Sequence, residues 1–275
     1  MQKFLTDVHT HSAFSCDGED ELQDMLAAAQ RKGVAFYGVS EHFDYDLLVL
    51  ENRGESKMID AAEYFHAARH LQEDYEGVMN VLIGAEFGYI DDERAFSFYR
   101  SVQEKYHPDF IVNSVHSVNG EDYYYKTRFY KDGKLRTKAE AYGEYLATIR
   151  KSLDAPYSYD IVGHIGYAAR YAPYADKDLR YEDFAAALDD ILIAIIEKDK
   201  ILEINSSTKR GISVTDMGIL KRYFKLGGRK ISYASDAHNT DRICEKREEI
   251  VRALKQIGFT HCTVPCKGEH IQVEL

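Results

Sequence analysis

The chain has 275 residues, 45% hydrophobic and 29% charged, which is enough apolar material for a sizeable core and a length common among single α/β barrels. Its formal net charge of −11 argues against a general nucleic-acid binder, because phosphate backbones are gripped by excess Lys and Arg. The same charge leaves room for a small phosphorylated ligand held by metal ions and one or two arginines.

The first eight residues lack the apolar stretch of a signal peptide, and the longest apolar run, 191–196, is far short of the roughly 20 residues of a membrane span. The expectation is a cytoplasmic protein with no membrane partner; the oligomeric state is left open. Four cysteines (Cys16, Cys244, Cys262, Cys266) make no disulfide framework in a chain of this length. Cys262 and Cys266 fall on one face of an apparent strand, and they are read as reduced structural thiols rather than metal ligands.

In chain order, short β-branched or aromatic runs alternate with longer amphipathic stretches. A strand at 4–8 precedes a helix at 21–32; a strand at 35–40 precedes a helix at 59–75; a strand at 80–85 precedes a helix at 92–105. Strands then follow at 110–115, 161–163, 201–204 and 230–234, each leading to a helix, at 138–153, 181–198, 215–226 and 244–256. A last strand is expected at 259–264. Glycines at 33, 227, 228 and 258 sit just past helix ends, where a left-handed cap is wanted. Such alternation builds a parallel sheet, and seven or eight units close naturally into a barrel occupying 1–275 as one domain. An open doubly wound sheet is the alternative.

Each strand delivers polar or metal-competent side chains at its C-terminal end. The first ends in Asp7-Val8-His9-Thr10-His11, the second in Ser40-Glu41-His42, and the third in Gly84-Ala85-Glu86. The others give Ser114-Val115-His116, Gly163-His164, Glu203-Ile204-Asn205-Ser206-Ser207 and Ser235-Asp236-Ala237-His238. Six of the 11 histidines choose these ends, the face on which α/β barrels build their sites. His9 and His11 lie on one face of an extended segment, as do Asp236 and His238, and each pair is half of a divalent-metal site. Glu86 is costly to leave charged at a barrel mouth without a partner. Cations would relieve it; an arginine pairing is the plainer alternative.

Other histidines read as structural. His66 and His70 share a helix face with no third ligand near, His107 marks a helix end, and His261 and His270 lie outside the pattern. Arg170 and Arg210 follow the fifth and sixth strands and can project over the mouth to grip a phosphate in bidentate fashion, with Lys209 a weaker candidate. The aromatic and basic stretch 119–130 leaves the same end, and is read as a side wall or lid, or as a subunit contact.

Taken together, His9-x-His11 with Asp17, Ser-Glu-His42, Gly-Ala-Glu86, Ser-Val-His116-Ser, Val-Gly-His164 and Ser-Asp-Ala-His238 resemble the four-motif signature of the polymerase and histidinol phosphatase (PHP) superfamily. The resemblance runs along nearly the whole chain. It implies a distorted (β/α)7 TIM-like barrel carrying two to three divalent metal ions (zinc, manganese or iron). By position, one ion would take His9, His11, Glu86 and Asp236; a second Asp17, His42 and His238; a third Glu86, His116 and His164. Many members have histidine where Asp17 stands, and the harder carboxylate suits manganese or iron as well as zinc.

Within the superfamily, the stand-alone length, Leu-Glu-Ile-Asn-Ser-Ser with Arg210 beyond it, and Gly-His-Ile leading to Arg170-Tyr are similar to histidinol-phosphate phosphatases. The implied activity is hydrolysis of L-histidinol phosphate in histidine biosynthesis by a metal-bridging hydroxide. Glu86, Asp236 and His238 would stand nearest the chemistry, Arg170, Arg210 and Lys209 nearest the phosphate, and Asp7, Glu41 and Asn205 would orient ligands. Rival readings are a phosphatase for another small ester, nucleotide or phosphoprotein, a phosphodiesterase or exonuclease, and a metal-binding module without catalysis.

Overall fold

The computed structural model describes residues 5–47, 57–207 and 217–275. Seven parallel strands run in sequence order around one sheet: β1 (Leu5–Asp7), β2 (Val34–His42), β3 (Asn80–Gly88), β4 (Ile111–Ser114), β5 (Ile161–Val162), β6 (Ile201–Asn205) and β7 (Ile231–Ala234). Helices connect them: α1 (Leu22–Arg31), α2 (Ala61–Asp74), α3 (Glu93–Tyr106), α4 (Lys138–Ser152), the short α5 (Tyr167–Tyr171), α6 (Ala185–Glu197) and α7 (Met217–Lys225). A final helix, α8 (Arg247–Ile257), follows β7. Thus the expected barrel is present and the open sheet is excluded. Among the described residues no helix is long and apolar enough to cross a membrane.

Local signals set the ends of these elements. The Asp60 side chain accepts from the backbone N–H groups of Ala62 and Glu63 at the start of α2, and Thr137 and Glu140 form a reciprocal capping box on α4. Gly33 and Gly258 take left-handed backbone (φ 75° and 117°) just past α1 and α8, as the C-terminal signal requires. The expected 181–198 helix is divided: a 3-10 turn covers Tyr181–Asp183 and α6 begins at Ala185.

The expected strand at 259–264 is not an eighth barrel stave. Lys267 and Gly268 both adopt positive φ and turn the chain back, so β8 (His261–Cys266) pairs antiparallel with β9 (Glu269–Glu274). This hairpin closes the N-terminal end of the barrel. Val264 and Val273 pack with Val8, Leu82, Phe110, Val112, Ile161 and Ile201 in an apolar floor. Gly38 and Gly84 make space for it, since a Cβ on Gly84 would lie 2.5 Å from the Phe110 ring. The floor leaves the opposite mouth for polar chemistry. Cys262 is buried on β8, its thiol pushed up to about 11 by burial, as suits a structural thiol.

The barrel closes at a seam between β1 and β7. Thr10 bridges Ala237, the His11 N–H donates to the Ala237 carbonyl at 2.8 Å, and the Asp236 N–H donates to the His9 carbonyl at 2.9 Å. Asp7, fully buried, accepts from the backbone N–H of Ser235 and of Cys244, each at 2.9 Å. Removing that carboxylate would orphan two donors in a dry seam. Asp7→Ala is expected to lower the unfolding free energy by about 2–4 kcal/mol, read from urea midpoints, with Asp7→Asn losing less because one acceptor remains. Equal midpoints for all three proteins would mean that water or neighbouring groups replace those bonds.

Candidate metal centre

The polar strand ends meet in the mouth opposite the apolar floor. Glu86, at the end of β3 and fully buried, occupies the middle. Its Oε1 lies 3.4 Å from Nε2 of His9, 3.3 Å from Nε2 of His116 and 2.9 Å from Nε2 of His164. Its Oε2 lies 3.5 Å from Nε2 of His11 and 2.9 Å from Nδ1 of His42. Asp236 approaches from the β7 side, with Oδ1 3.4 Å from His11 Nε2 and 3.9 Å from His9 Nε2. Its backbone is left-handed (φ 52°), a conformation aspartate tolerates better than most residues, and this turn brings the chain end back onto β1.

At the rim, Asp17 lies 3.7 Å from His42 Nε2 and 3.3 Å from His238 Nε2, with its side chain 59% exposed. It is carried by the loop between β1 and α1. That loop is pinned beneath by Glu41, which accepts from the Ser12 N–H and from the hydroxyls of Ser12 and Ser15, both at 2.5 Å.

Hydrogen bonds on the outer side of the rings fix their tautomers. A carboxylate only accepts, so Nδ1 of His9 carries the proton it shares with Glu203 Oε2 at 2.6 Å. The same reasoning protonates Nδ1 of His116 against Asp44 Oδ2 at 2.8 Å, and Nδ1 of His238 against the Asp236 carbonyl oxygen at 3.0 Å. Ser15 spends its hydroxyl proton on Glu41, so at 3.2 Å it accepts from Nδ1 of His11. Each of these rings therefore turns an Nε2 lone pair inward. Outer partners of this kind are the usual companions of metal-binding histidines.

This arrangement fits metal ions and little else. Nε2 of His9 and Nε2 of His11 are 3.1 Å apart, and Nε2 of His116 and Nε2 of His164 are 3.2 Å apart. Ring nitrogens that close share a positive charge, which a proton on one ring or a metal ion between the two can provide. Buried Oε2 of Glu86 and Nδ1 of His42 face each other as an ion pair at 2.9 Å but, among the described residues, neither makes an aligned hydrogen bond, so a metal ion could take either as a ligand. The electrostatics agree. Burial disfavours the charge on Glu86, yet His9, His116 and His42 hold its carboxyl well below the usual range. Asp236 is held low in the same way, against burial, by His11, His9 and Arg170. His42 is pushed up to about 10, where burial is outweighed by Glu86 and Asp17, while burial together with His42 and His238 drives His11 well below its ordinary value. Against burial, Glu203 and Glu86 hold His9, and Asp44 and Glu86 hold His116, well above the ordinary imidazole value, so the ionised carboxylates call for positive charge at their centre, which bound divalent cations would supply.

The mouth therefore binds divalent metal. Four groups of ligand atoms lie within 4.8 Å of one another: His11, His42 and His238; His9, Glu86 and His164; His9, His11 and Asp236; His42, Glu86 and His116. Eight of the nine residues expected from the sequence belong to these groups; Asp17, at the exposed rim, belongs to none of them. The groupings also differ from the implied ones: Glu86 is not grouped with His9, His11 and Asp236, His11 sits with His42 and His238, and Glu86 sits both with His9 and His164 and with His42 and His116. No cysteine belongs to any such group among the described residues. His66 and His70 are exposed on α2, and His107 is the left-handed cap of α3.

Arg170 comes from α5 to the same mouth, with Nη1 3.2 Å from Asp236 Oδ2. Arg210 and Lys209 lie outside the described residues, as does Phe4 of the first expected strand. Of the expected orienting residues, Glu41 acts on His11 through Ser15, Asn205 donates to Asp236 Oδ2 at 3.4 Å, and Asp7 serves the seam. Sequence reading missed the roles of Ser15, Asp44, Ser114 and Glu203. Ser114 donates to Glu86 Oε1 at 2.6 Å, and Glu203 holds His9 together with the backbone N–H of His164. A glutamate inside the apolar run of β6 was the available signal for the last. Segment 119–130 is less open than expected: Tyr123 is buried with its hydroxyl on the Ala141 carbonyl at 2.8 Å, and only Tyr124, Tyr125 and Tyr130 present large exposed rings.

The PHP domain family matches residues 7–207. A probable histidinol-phosphatase of Clostridium acetobutylicum is 30% identical over 239 residues, 86% of this chain and 88% of that protein. The histidinol-phosphatase of Lactococcus lactis subsp. lactis is 30% identical over 257 residues, 92% of this chain and 91% of that protein. A crystal structure of histidinol phosphate phosphatase from the same species, complexed with zinc, L-histidinol and phosphate, superposes with a TM-score of 0.85 at 27% identity. That superposition covers 97% of this chain and 98% of the other.

Because Glu203 fixes His9 from outside the ligand shell, Glu203→Ala is expected to weaken metal binding about 10–100-fold in a chelator competition, with a smaller loss for Glu203→Gln. Unchanged affinity in both variants would reduce Glu203 to a packing role.

Proposed function

The chain belongs to the PHP domain family, and from that membership we propose that it is a metal-dependent phosphatase hydrolysing L-histidinol phosphate to L-histidinol and phosphate, a step of histidine biosynthesis. One observation carries the reading: inward-facing imidazole lone pairs gather around a buried carboxylate, in a chain about as long as relatives named for this activity. The solved relative holds zinc together with L-histidinol and phosphate, the two products of that hydrolysis. All candidate ligands come from the ends of one sheet or the loops that leave it, so residues 1–275 act in this reading as one domain.

Three ions are proposed, with zinc as the first candidate. The first would be held by His9, His11, Glu86 and Asp236, the second by Asp17, His42 and His238, and the third by Glu86, His116 and His164. Bound there, divalent cations supply Lewis acidity toward phosphoryl oxygens and make a water molecule acidic enough to attack phosphorus near neutral pH. The remaining work falls to side chains. Glu86 and Asp236 fix the spacing of the inner ligands. Arg170 faces the outer oxygen of Asp236, where a planar guanidinium can grip phosphate oxygens and absorb their charge. Arg210 and Lys209 are proposed to reach the phosphate from the loop after β6. The proton for the leaving alkoxide would come from His238 or Asp17 at the rim, whichever of the two the second ion leaves unligated.

The deciding experiment is metal analysis of the purified chain followed by phosphate release from a panel: L-histidinol phosphate, sugar phosphates, nucleotides and a phosphotyrosine peptide. Turnover is expected to be fastest on L-histidinol phosphate, and Glu86→Ala is expected to abolish it and lower the metal content. A fully active, metal-replete Glu86→Ala protein would sink the reading. No turnover of any member despite bound metal would favour a binding module.

A further inference from the structure

Ser207, just beyond β6, is a meeting point of two guanidinium groups. Nη2 of Arg170 and Nη2 of Arg242 both donate to its Oγ, the latter at 2.9 Å. Arg170 also pairs with Asp236, whose other oxygen faces His9 and His11, so the arginine pair borders the metal ligands across a single carboxylate. Two like charges drawn to one neutral oxygen repel each other unless anions balance them. Glu245 balances Arg242, with Oε2 3.0 Å from Nε. When Asp236 serves a metal, its charge is already committed, and the pair is left with excess positive charge.

The placement of Arg242 is built. It ends a 3-10 turn (Thr240–Arg242) in which the Asn239 side chain accepts from the Arg242 N–H at 3.3 Å. Lys32, next to the end of α1, donates to the carbonyl oxygens of Thr240, Asp241 and Ile243 at 3.1, 3.0 and 2.8 Å. Asp20 Oδ2 accepts from the Thr240 N–H at 2.7 Å. The turn is thereby fastened to the Asp17 loop and to the first helix of the barrel. Ser207, its lone pairs turned to two guanidiniums, keeps its own O–H to give. Two guanidinium groups thus converge on one hydroxyl beside Asp236, and paired guanidiniums are the usual complement of a phosphate dianion.

We propose that Arg242 is a second phosphate-binding arginine, which with Arg170 and Ser207 clamps the phosphoryl group of the substrate beside the metal centre. This rests on the phosphatase reading above. The sequence hides the role, because Arg242 stands outside every strand-end motif and meets Ser207 only through the pairing of β6 with β7, whose following loops carry the two residues.

The test uses the full metal-loaded chain, with inorganic phosphate as competitive inhibitor of L-histidinol phosphate hydrolysis. Arg242→Met is expected to raise both KM and the phosphate inhibition constant about tenfold, the loss of one charge-assisted contact, with metal content per chain unchanged. Arg242→Lys, which keeps the charge without the planar fork, is expected to fall between. A structural role alone would lower the thermal midpoint or kcat and leave the inhibition constant where it was. An inhibition constant within twofold of the parent in both variants overturns the proposal; if Arg242→Met does not fold, Arg242→Lys decides by the same measure. Should the unaltered chain release no phosphate from any ester and bind none, the phosphatase reading falls first and this inference with it.

Discussion

The structure turns on a buried carboxylate surrounded by imidazoles. Glu86 lies within 3.5 Å of five rings and has no exposed surface. Taking one carboxylate out of water costs several kcal/mol even after relaxation, far more than a single neutral hydrogen bond such as that from Ser114 returns. Protons on the rings can offset part of that cost, but the rings are too close for all of them to charge. Divalent cations solve both problems together, since each satisfies a carboxylate oxygen and several nitrogen lone pairs. The polar mouth and the apolar floor are therefore one design: the hairpin of β8 and β9 takes over the packing, and the C-terminal ends of the strands are freed for charged groups.

A second layer of carboxylates has a different task. Glu203, Asp44 and Glu41 hold the outer nitrogens of His9 and His116 directly and that of His11 through Ser15. Their negative charge makes each ring a better electron donor and fixes which nitrogen faces inward. The seam adds a third constraint. Asp7 joins β1 to the end of β7, and the left-handed turn at Asp236 brings its N–H to the His9 carbonyl. Closing the barrel and assembling the ligands are consequently the same event.

Much of this was legible in the sequence, for identifiable reasons. Period-2 and period-3.6 apolar patterns gave the strands and helices of a parallel barrel, and strand-end placement gave eight of the nine candidate ligands, because parallel strands all present their C-terminal ends to one mouth; Asp17, in the loop after β1, came only with the family resemblance. Contacts closed by loops were not legible. Whether the 259–264 run adds a stave or folds back depends on two positive-φ residues, Lys267 and Gly268, and an isolated β pattern cannot decide it. Ser15 and Asp44 act on rings 4 and 72 positions away through single hydrogen bonds that leave no periodic trace. Glu203 was visible only as a charge in an apolar strand, its partner His9 lying 194 positions earlier.

The acidic balance of the chain also takes on a local meaning. A net charge of −11 opposes phosphorylated ligands at long range, so binding one requires positive charge concentrated at short range, where water screens least. The metal centre supplies that charge on one side of Asp236, and Arg170 stands on the other. A phosphate entering the mouth would pass from repulsive surface into a small, strongly positive volume, which favours compact dianions over long polyanions that must lie along the surface. The same electrostatics that weaken the case for a nucleic-acid ligand therefore strengthen the case for a small phosphate ester.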